Sequence, residues 1–169
     1  MASESTVVLS PEARRRIDRE IGKYPPDRKS SAVIAALAIA QDEHRWLSTE
    51  VMDAVAEYLD MPPIAVYEVA TFYEMFNTEP TGKYKLTICT NLPCALHDAA
   101  KAAAHLKQKL GIDFDETTPD GTFTLKEGEC FGACGDAPVV LVNNKRLCSW
   151  MKPEALDGLL AELSAEAKR

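Results

Sequence analysis

The chain has 169 residues, 46% of them hydrophobic and 27% charged, with a formal net charge of −7. That balance belongs to soluble globular proteins rather than disordered or fibrous ones, and the acidic excess disfavours nucleic acid, because neutralising phosphates needs a basic stripe that is missing here. The longest apolar run, Ala32 to Ala40, is about half of the ~20 residues a membrane helix requires, so a membrane link is expected only through a partner, without direct insertion.

The N-terminal stretch MASESTVVLSPEARRRIDRE has no charged-then-apolar order and no small-residue cleavage site, which argues against a secretory signal. Glu12, Asp18 and Glu20 around Arg14, Arg15 and Arg16 argue against an acid-poor transit peptide. Ser10-Pro11-Glu12 supplies an N-cap, a proline at the first helical position and an acid in the first turn, so a helix is expected to start there and stop before Tyr24-Pro25-Pro26. A second helix is expected from about Asp27 through SSAVIAALAIAQDEH, its apolar middle suiting a buried central position. Ser48 caps a third, STEVMDAVAEYLD, with Val51, Val55 and Leu59 along one face. Met61-Pro62-Pro63 ends it and opens a fourth, IAVYEVATFYEMF. Short helices with short links make a small bundle.

Near Thr81-Gly82 the period changes. KYKLTIC alternates as a strand does, with Tyr84, Leu86 and Ile88 on one face. Ala95 to Leu110 reads as one helix ending at Gly111. After a polar loop with Pro119-Asp120-Gly121 come strands TFTLKE, PVVLVNN and RLCSW, then a last helix, PEALDGLLAELSAEAKR. The order β-α-β-β-β-α predicts a small sheet with helices packed on it. The fold class is therefore α+β: a helical bundle over residues 1–81 and a sheet domain over residues 82–169.

Five cysteines are present, Cys89, Cys94, Cys130, Cys134 and Cys148. Four of them form two local pairs, C-x4-C and C-x3-C, each following an expected strand. In a reducing interior cysteines more often bind metal or do redox chemistry than form disulfides. Two thiolates from one short loop can chelate one iron, and two such loops brought together by a sheet offer the four thiolates of a [2Fe-2S] cluster. Gly128, Gly132 and Gly135 in GECFGACG are expected to let backbone amides approach sulfur. A four-cysteine zinc site remains open, although its pairs usually come as C-x2-C. Dithiol chemistry is disfavoured by the lack of any C-x-x-C, and disulfides by the odd count and the compartment.

The stretches YEVATFYEMFNTEPTGKYKLTICTNLPC, GECFGACGDAPVVLVNNK and PEALDGLLAEL resemble the peripheral-arm [2Fe-2S] subunit of respiratory complex I, the NADH:quinone oxidoreductase, known in bacteria as the E subunit. The likeness spans about residues 10 to 163. It implies a thioredoxin-like C-terminal domain carrying one [2Fe-2S] cluster, with Cys89 and Cys94 on one iron and Cys130 and Cys134 on the other. It also implies electron exchange with a flavin- and NADH-binding partner subunit, which holds the FMN and NADH, and contact with the large iron-sulfur subunit. A cytoplasmic place at the periphery of the bacterial inner membrane would follow. This chain shows no G-x-G-x-x-G and so offers no visible dinucleotide site of its own, and its part in NADH dehydrogenase chemistry would be that of a carrier. Members often have glycine four residues after the second cysteine, where this chain has Asp98. NAD-linked formate dehydrogenases and NAD-reducing hydrogenases contain relatives with the same cysteine pattern, and a free-standing thioredoxin-like ferredoxin would also use it. Four thiolates on an acidic chain predict a low potential, on the order of −400 mV or somewhat above.

Outside these pairs, Cys148 beside Trp150 reads as a small buried hydrophobe. His97, three residues after Cys94, could in principle offer a nitrogen ligand but reads as an exposed histidine at a helix start, and His44 and His105 lie in polar helical contexts. The aromatic run Tyr67, Phe72, Tyr73, Phe76 and Tyr84 is expected to pack at the domain junction or to serve partner docking.

Overall fold

The computed structural model describes residues 9–168. Residues 1–8, part of the stretch read as lacking a leader, and Arg169 lie outside the described residues. The chain divides into two compact units, Met1–Pro80 and Thr81–Arg169.

The first unit is helical. Helix α1, Pro11–Ile21, begins as its sequence dictates: the Ser10 hydroxyl accepts the Ala13 N–H at 3.0 Å, and Pro11 stands where no helical N–H is needed. Next comes a 3-10 segment, Pro26–Ala32, and then α2, Val33–His44. The α-helix thus starts later than Asp27. Arg28 sits at φ −120°, outside helical geometry, and interrupts the helical run between Pro26 and Ala32. Helix α3, Thr49–Leu59, is capped by Ser48, and α4, Pro63–Phe72, stops four residues short of Phe76 because Tyr73 is extended. Beyond it Gln41 holds the exit, its Nε2 donating to Met75 O at 2.9 Å and its Oε1 accepting Asn77 N–H at 2.6 Å. Helix α2 packs against α1, α3 and α4. Ile17, Leu37, Leu47, Val55 and Val66 are fully buried in this core, at about 1.5–3 kcal/mol for each large apolar side chain removed from water. Phe76 joins this core, whereas Phe72 is 76% exposed.

The second unit is built on a four-stranded sheet in the order β2-β1-β3-β4, with β1 Tyr84–Cys89, β2 Phe123–Gly128, β3 Val140–Val142 and β4 Arg146–Cys148. Strands β1 and β2 are parallel, while β3 runs antiparallel to both β1 and β4. Parallel pairing needs a crossover, supplied by α5, Leu92–Ala95, and α6, Ala99–Leu110. The single helix expected from Ala95 to Leu110 is therefore two. Asp98, at φ 66°, is in the left-handed region and breaks the helical ladder just before Ala99. Gly111 closes α6 at the same kind of φ, 66°, as expected for a helix ended by glycine.

Because side chains alternate across a strand, Leu86, Ile88, Leu125, Val140 and Val142 share one apolar face. They are buried in one core with Ala102 and Leu106 of α6 and with Leu156, Leu159 and Leu163 of α7, Pro153–Ala167. Tyr84 and Cys148 lie in the same core, so Cys148 is the buried hydrophobe its context suggested. Arg146 donates two bonds to Glu162, at 2.6 and 3.1 Å, tying β4 to α7 at the surface. None of the helices in the described residues is long and apolar enough to cross a membrane.

Candidate metal centre

The sheet decides where the cysteines go. Cys89 ends β1 opposite Gly128, which ends β2, so parallel pairing sends both following loops off the same edge of the sheet. Antiparallel β3 starts at that edge too, with Val140 opposite Ile88 and the Cys89 N–H donating to Val139 O at 3.2 Å. The Cys89–Cys94 loop, the Cys130–Cys134 loop and the Ala137–Val139 approach therefore converge.

Within that convergence the two pairs differ. Cys89 and Cys94 are each 1% exposed and pack with Ala99, Ala137 and Val139, flanked by Phe131 and Ala133. Cys130 is exposed and Cys134 partly so. The Cys130 and Cys134 sulfurs stand 3.9 Å apart. Two thiolates on one tetrahedral metal, at bonds of about 2.3 Å, stand about 3.8 Å apart, so this pair already has the spacing of a chelate and is much too far apart for a disulfide. Burial pushes the Cys94 thiol up to about 11, with added contributions from Cys89, Cys134 and Cys130. The Cys134 thiol is likewise held above its ordinary range, first by its hydrogen bond to Cys130. Cys94 and Cys134 thiols that resist ionisation fit a cationic guest that supplies the missing charge. Among the described residues no three His, Cys, Asp or Glu side chains are gathered for a single ion.

The glycines of this loop serve different ends. Gly132 is at φ +73°, and its N–H donates to the Cys130 sulfur at 3.3 Å, the amide-to-sulfur contact expected of it. Gly128 is needed for space instead: a Cβ there would lie 2.6 Å from Thr87 Cγ2 and 2.7 Å from Phe131 Cζ. Gly135 meets neither condition, since a Cβ would enter open space at an ordinary φ, so the expectation that all three glycines bring amides toward sulfur through a special conformation is corrected: it is met at Gly132. His97 is exposed. His105 does have a partner, its Nε2 lying 2.8 Å from Asp157 Oδ1, which also receives Lys109 Nζ at 3.2 Å. Sequence spacing carried no sign of that α6–α7 contact across 52 residues.

A sequence model of the family described as thioredoxin-like [2Fe-2S] ferredoxin matches residues 17–164. The chain is 43% identical over 149 residues to the NADH-quinone oxidoreductase E subunit of Rickettsia felis, covering 88% of this chain and 89% of that one. It is 46% identical over 131 residues to the NADH-quinone oxidoreductase E 2 subunit of Rhizobium meliloti, covering 78% and 77%. Among solved structures it is similar to an NAD+-reducing [NiFe]-hydrogenase in the air-oxidized state, with a TM-score of 0.70 at 20% identity. That match covers 85% of this chain but spans only 24% of the hydrogenase chain, and it speaks to the fold alone. With the family match covering most of its length and its sulfur pairs at one sheet edge, the chain belongs to the thioredoxin-like [2Fe-2S] ferredoxin family.

Proposed function

We propose that this chain is the electron-transfer E subunit of an NADH:quinone oxidoreductase, with Cys89 and Cys94 holding one iron of a single [2Fe-2S] cluster and Cys130 and Cys134 the other. The observation that carries this reading is the placement of two cysteine pairs on one sheet edge, with the Cys130–Cys134 sulfurs at a chelating distance of 3.9 Å. When bound, such a cluster takes up and gives back one electron at a time. The protein's own residues do the rest. Cys89 and Cys94, enclosed by Ala99, Ala137 and Val139, keep one side of the site dry. Cys130 and Cys134 stand at the surface, the side from which a partner's redox group could approach. The Gly132 amide, donating to Cys130 sulfur, stabilises thiolate charge at that exposed side.

The partner in this reading is the flavin- and NADH-binding subunit, which carries FMN and NADH, with the large iron-sulfur subunit as a further neighbour. This chain carries electrons without a dinucleotide site of its own. Residues 82–169 act as the ferredoxin domain and residues 1–81 as the docking domain, where Ile64 and Phe72 of α4 offer exposed apolar surface. The assembly places the chain on the cytoplasmic face of the bacterial inner membrane. Relatives at 43–46% identity bear the quinone oxidoreductase name, while the hydrogenase likeness is one of fold at 20–22% identity, so the quinone-linked complex is favoured over the hydrogenase or formate dehydrogenase alternative. Co-expression with candidate partners tests this. The chain is expected to co-purify with a flavoprotein, and its EPR signal to appear on adding NADH to the pair but not to the chain alone. A monomer that is reduced by soluble donors and retains no flavoprotein would support a free-standing ferredoxin instead.

A further inference from the structure

Thr90 and Asn91 lie between the first two cysteines, and Glu127 and Glu129 just before the second two. The backbone ladder that joins their strands ends at this point, with the Thr90 N–H donating to Gly128 O at 3.2 Å. Side chains carry the connection further. Thr90 Oγ1 donates to Glu127 Oε1 at 2.7 Å, and Asn91 Nδ2 donates to Glu129 Oε2 at 3.1 Å. Asn91 is the N-cap of α5, a position where its side chain would ordinarily accept an amide of the first turn, yet it makes no capping bond. It reaches across to the other cysteine loop instead. Neither bond is buried, so each alone adds little to stability. Their placement gives them another use, since a two-iron centre needs its two sulfur pairs held at a fixed separation, and these side-chain bonds span the gap between the pairs.

We propose that Glu127 and Glu129 are positioning residues for the cluster: through Thr90 and Asn91 they hold the two cysteine loops in register, and their negative charge lowers its reduction potential. The proposal rests on the reading of Cys89, Cys94, Cys130 and Cys134 as ligands. Hydrogen bonding and charge separate by substitution. Thr90→Val with Asn91→Ala removes the donors and leaves both carboxylates. Glu127→Gln with Glu129→Gln leaves a carbonyl acceptor at each site and removes the charge.

The experiment uses the full chain, reconstituted anaerobically with iron and sulfide, and reads iron loss to a chelator and the EPR-monitored reduction potential, with circular dichroism of the metal-free chain as the folding control. The donor-less variant is expected to fold normally and to lose iron faster by on the order of tenfold, the usual scale for outer contacts of a metal site. Thr90→Ser, which keeps the hydroxyl, is expected to retain iron as the wild type does. The two-glutamine variant is expected to keep its iron and to show a raised potential. Wild-type retention in the donor-less variant together with an unmoved potential in the glutamine variant would overturn the proposal. Failure of the wild-type chain itself to take up iron and sulfide would instead overturn the ligand reading, before any variant is compared.

Discussion

Asp98 occupies a backbone position that suits glycine. Its φ of 66° lies where L-residues are strained, with Asp and Asn the least penalised after glycine, and it makes no capping bond, only an ion pair with Lys101 at 2.8 Å. Glycine at this φ would avoid the cost, so Asp98→Gly is expected to raise the thermal midpoint of unfolding; a clear fall would mean that the Lys101 pair outweighs the backbone strain. Gly132 and Gly135 make a complementary comparison. Gly132→Ala places a Cβ on a residue at φ +73° and is expected to cost about 1–2 kcal/mol, whereas Gly135→Ala enters open space and should be near neutral by denaturant unfolding. Asp120 gives the pH dependence. Hydrogen bonds from the Thr118 hydroxyl, then from the Thr122 side chain and backbone, lower its carboxyl from 3.8 to about 2. A depressed carboxylate contributes stability that is present above the unfolded value of 3.8 and lost as pH falls toward 2. An NMR titration should place the Asp120 midpoint near 2, and a midpoint near 3.8 would show that the loop contacts are not populated.

At the scale of elements, the crossover between β1 and β2 does the most for the site. Helix α6 covers both strands and packs against α7, and Leu106 on it is fully buried. Leu106→Ala is expected to cost about 2–5 kcal/mol by loss of burial and creation of a cavity, read as a lower midpoint in chemical denaturation. A loss well under about 1 kcal/mol would mean that the α6 face repacks freely. Much at this scale was legible from periodicity. Ser10 and Ser48 cap the helices their sequence position assigns, Gly111 ends α6, and the alternation of Tyr84, Leu86 and Ile88 marks the buried face of β1. What periodicity could not register was backbone interruption. Asp98 is a tolerable helix residue by propensity, and its left-handed φ follows from the turn between α5 and α6. The chain beyond α4 is likewise held by Gln41 bonding to Met75 and Asn77 from another helix, a tertiary contact that no local window contains.

At the scale of the whole molecule, strand direction turns a sequence motif into a site. The spacing of the cysteines marks out two pairs, but only the parallel register of Cys89 with Gly128, followed by the antiparallel return of β3, brings both loops to one edge. The difference in exposure between the pairs and the side-chain bonds from Thr90 and Asn91 to the glutamates also arise only once the sheet is formed. In the proposed reading those four sulfurs hold a two-iron cluster, while the fifth, Cys148, lies in the core. Iron and sulfide content and the EPR spectrum of the anaerobically prepared chain and its five Cys→Ser variants test this most directly. The account predicts about two irons and two sulfides per wild-type chain, a lost or distorted signal for changes at Cys89, Cys94, Cys130 and Cys134, and a nearly intact one for Cys148→Ser. A signal that needs Cys148 and survives replacement of one of the other four would contradict it.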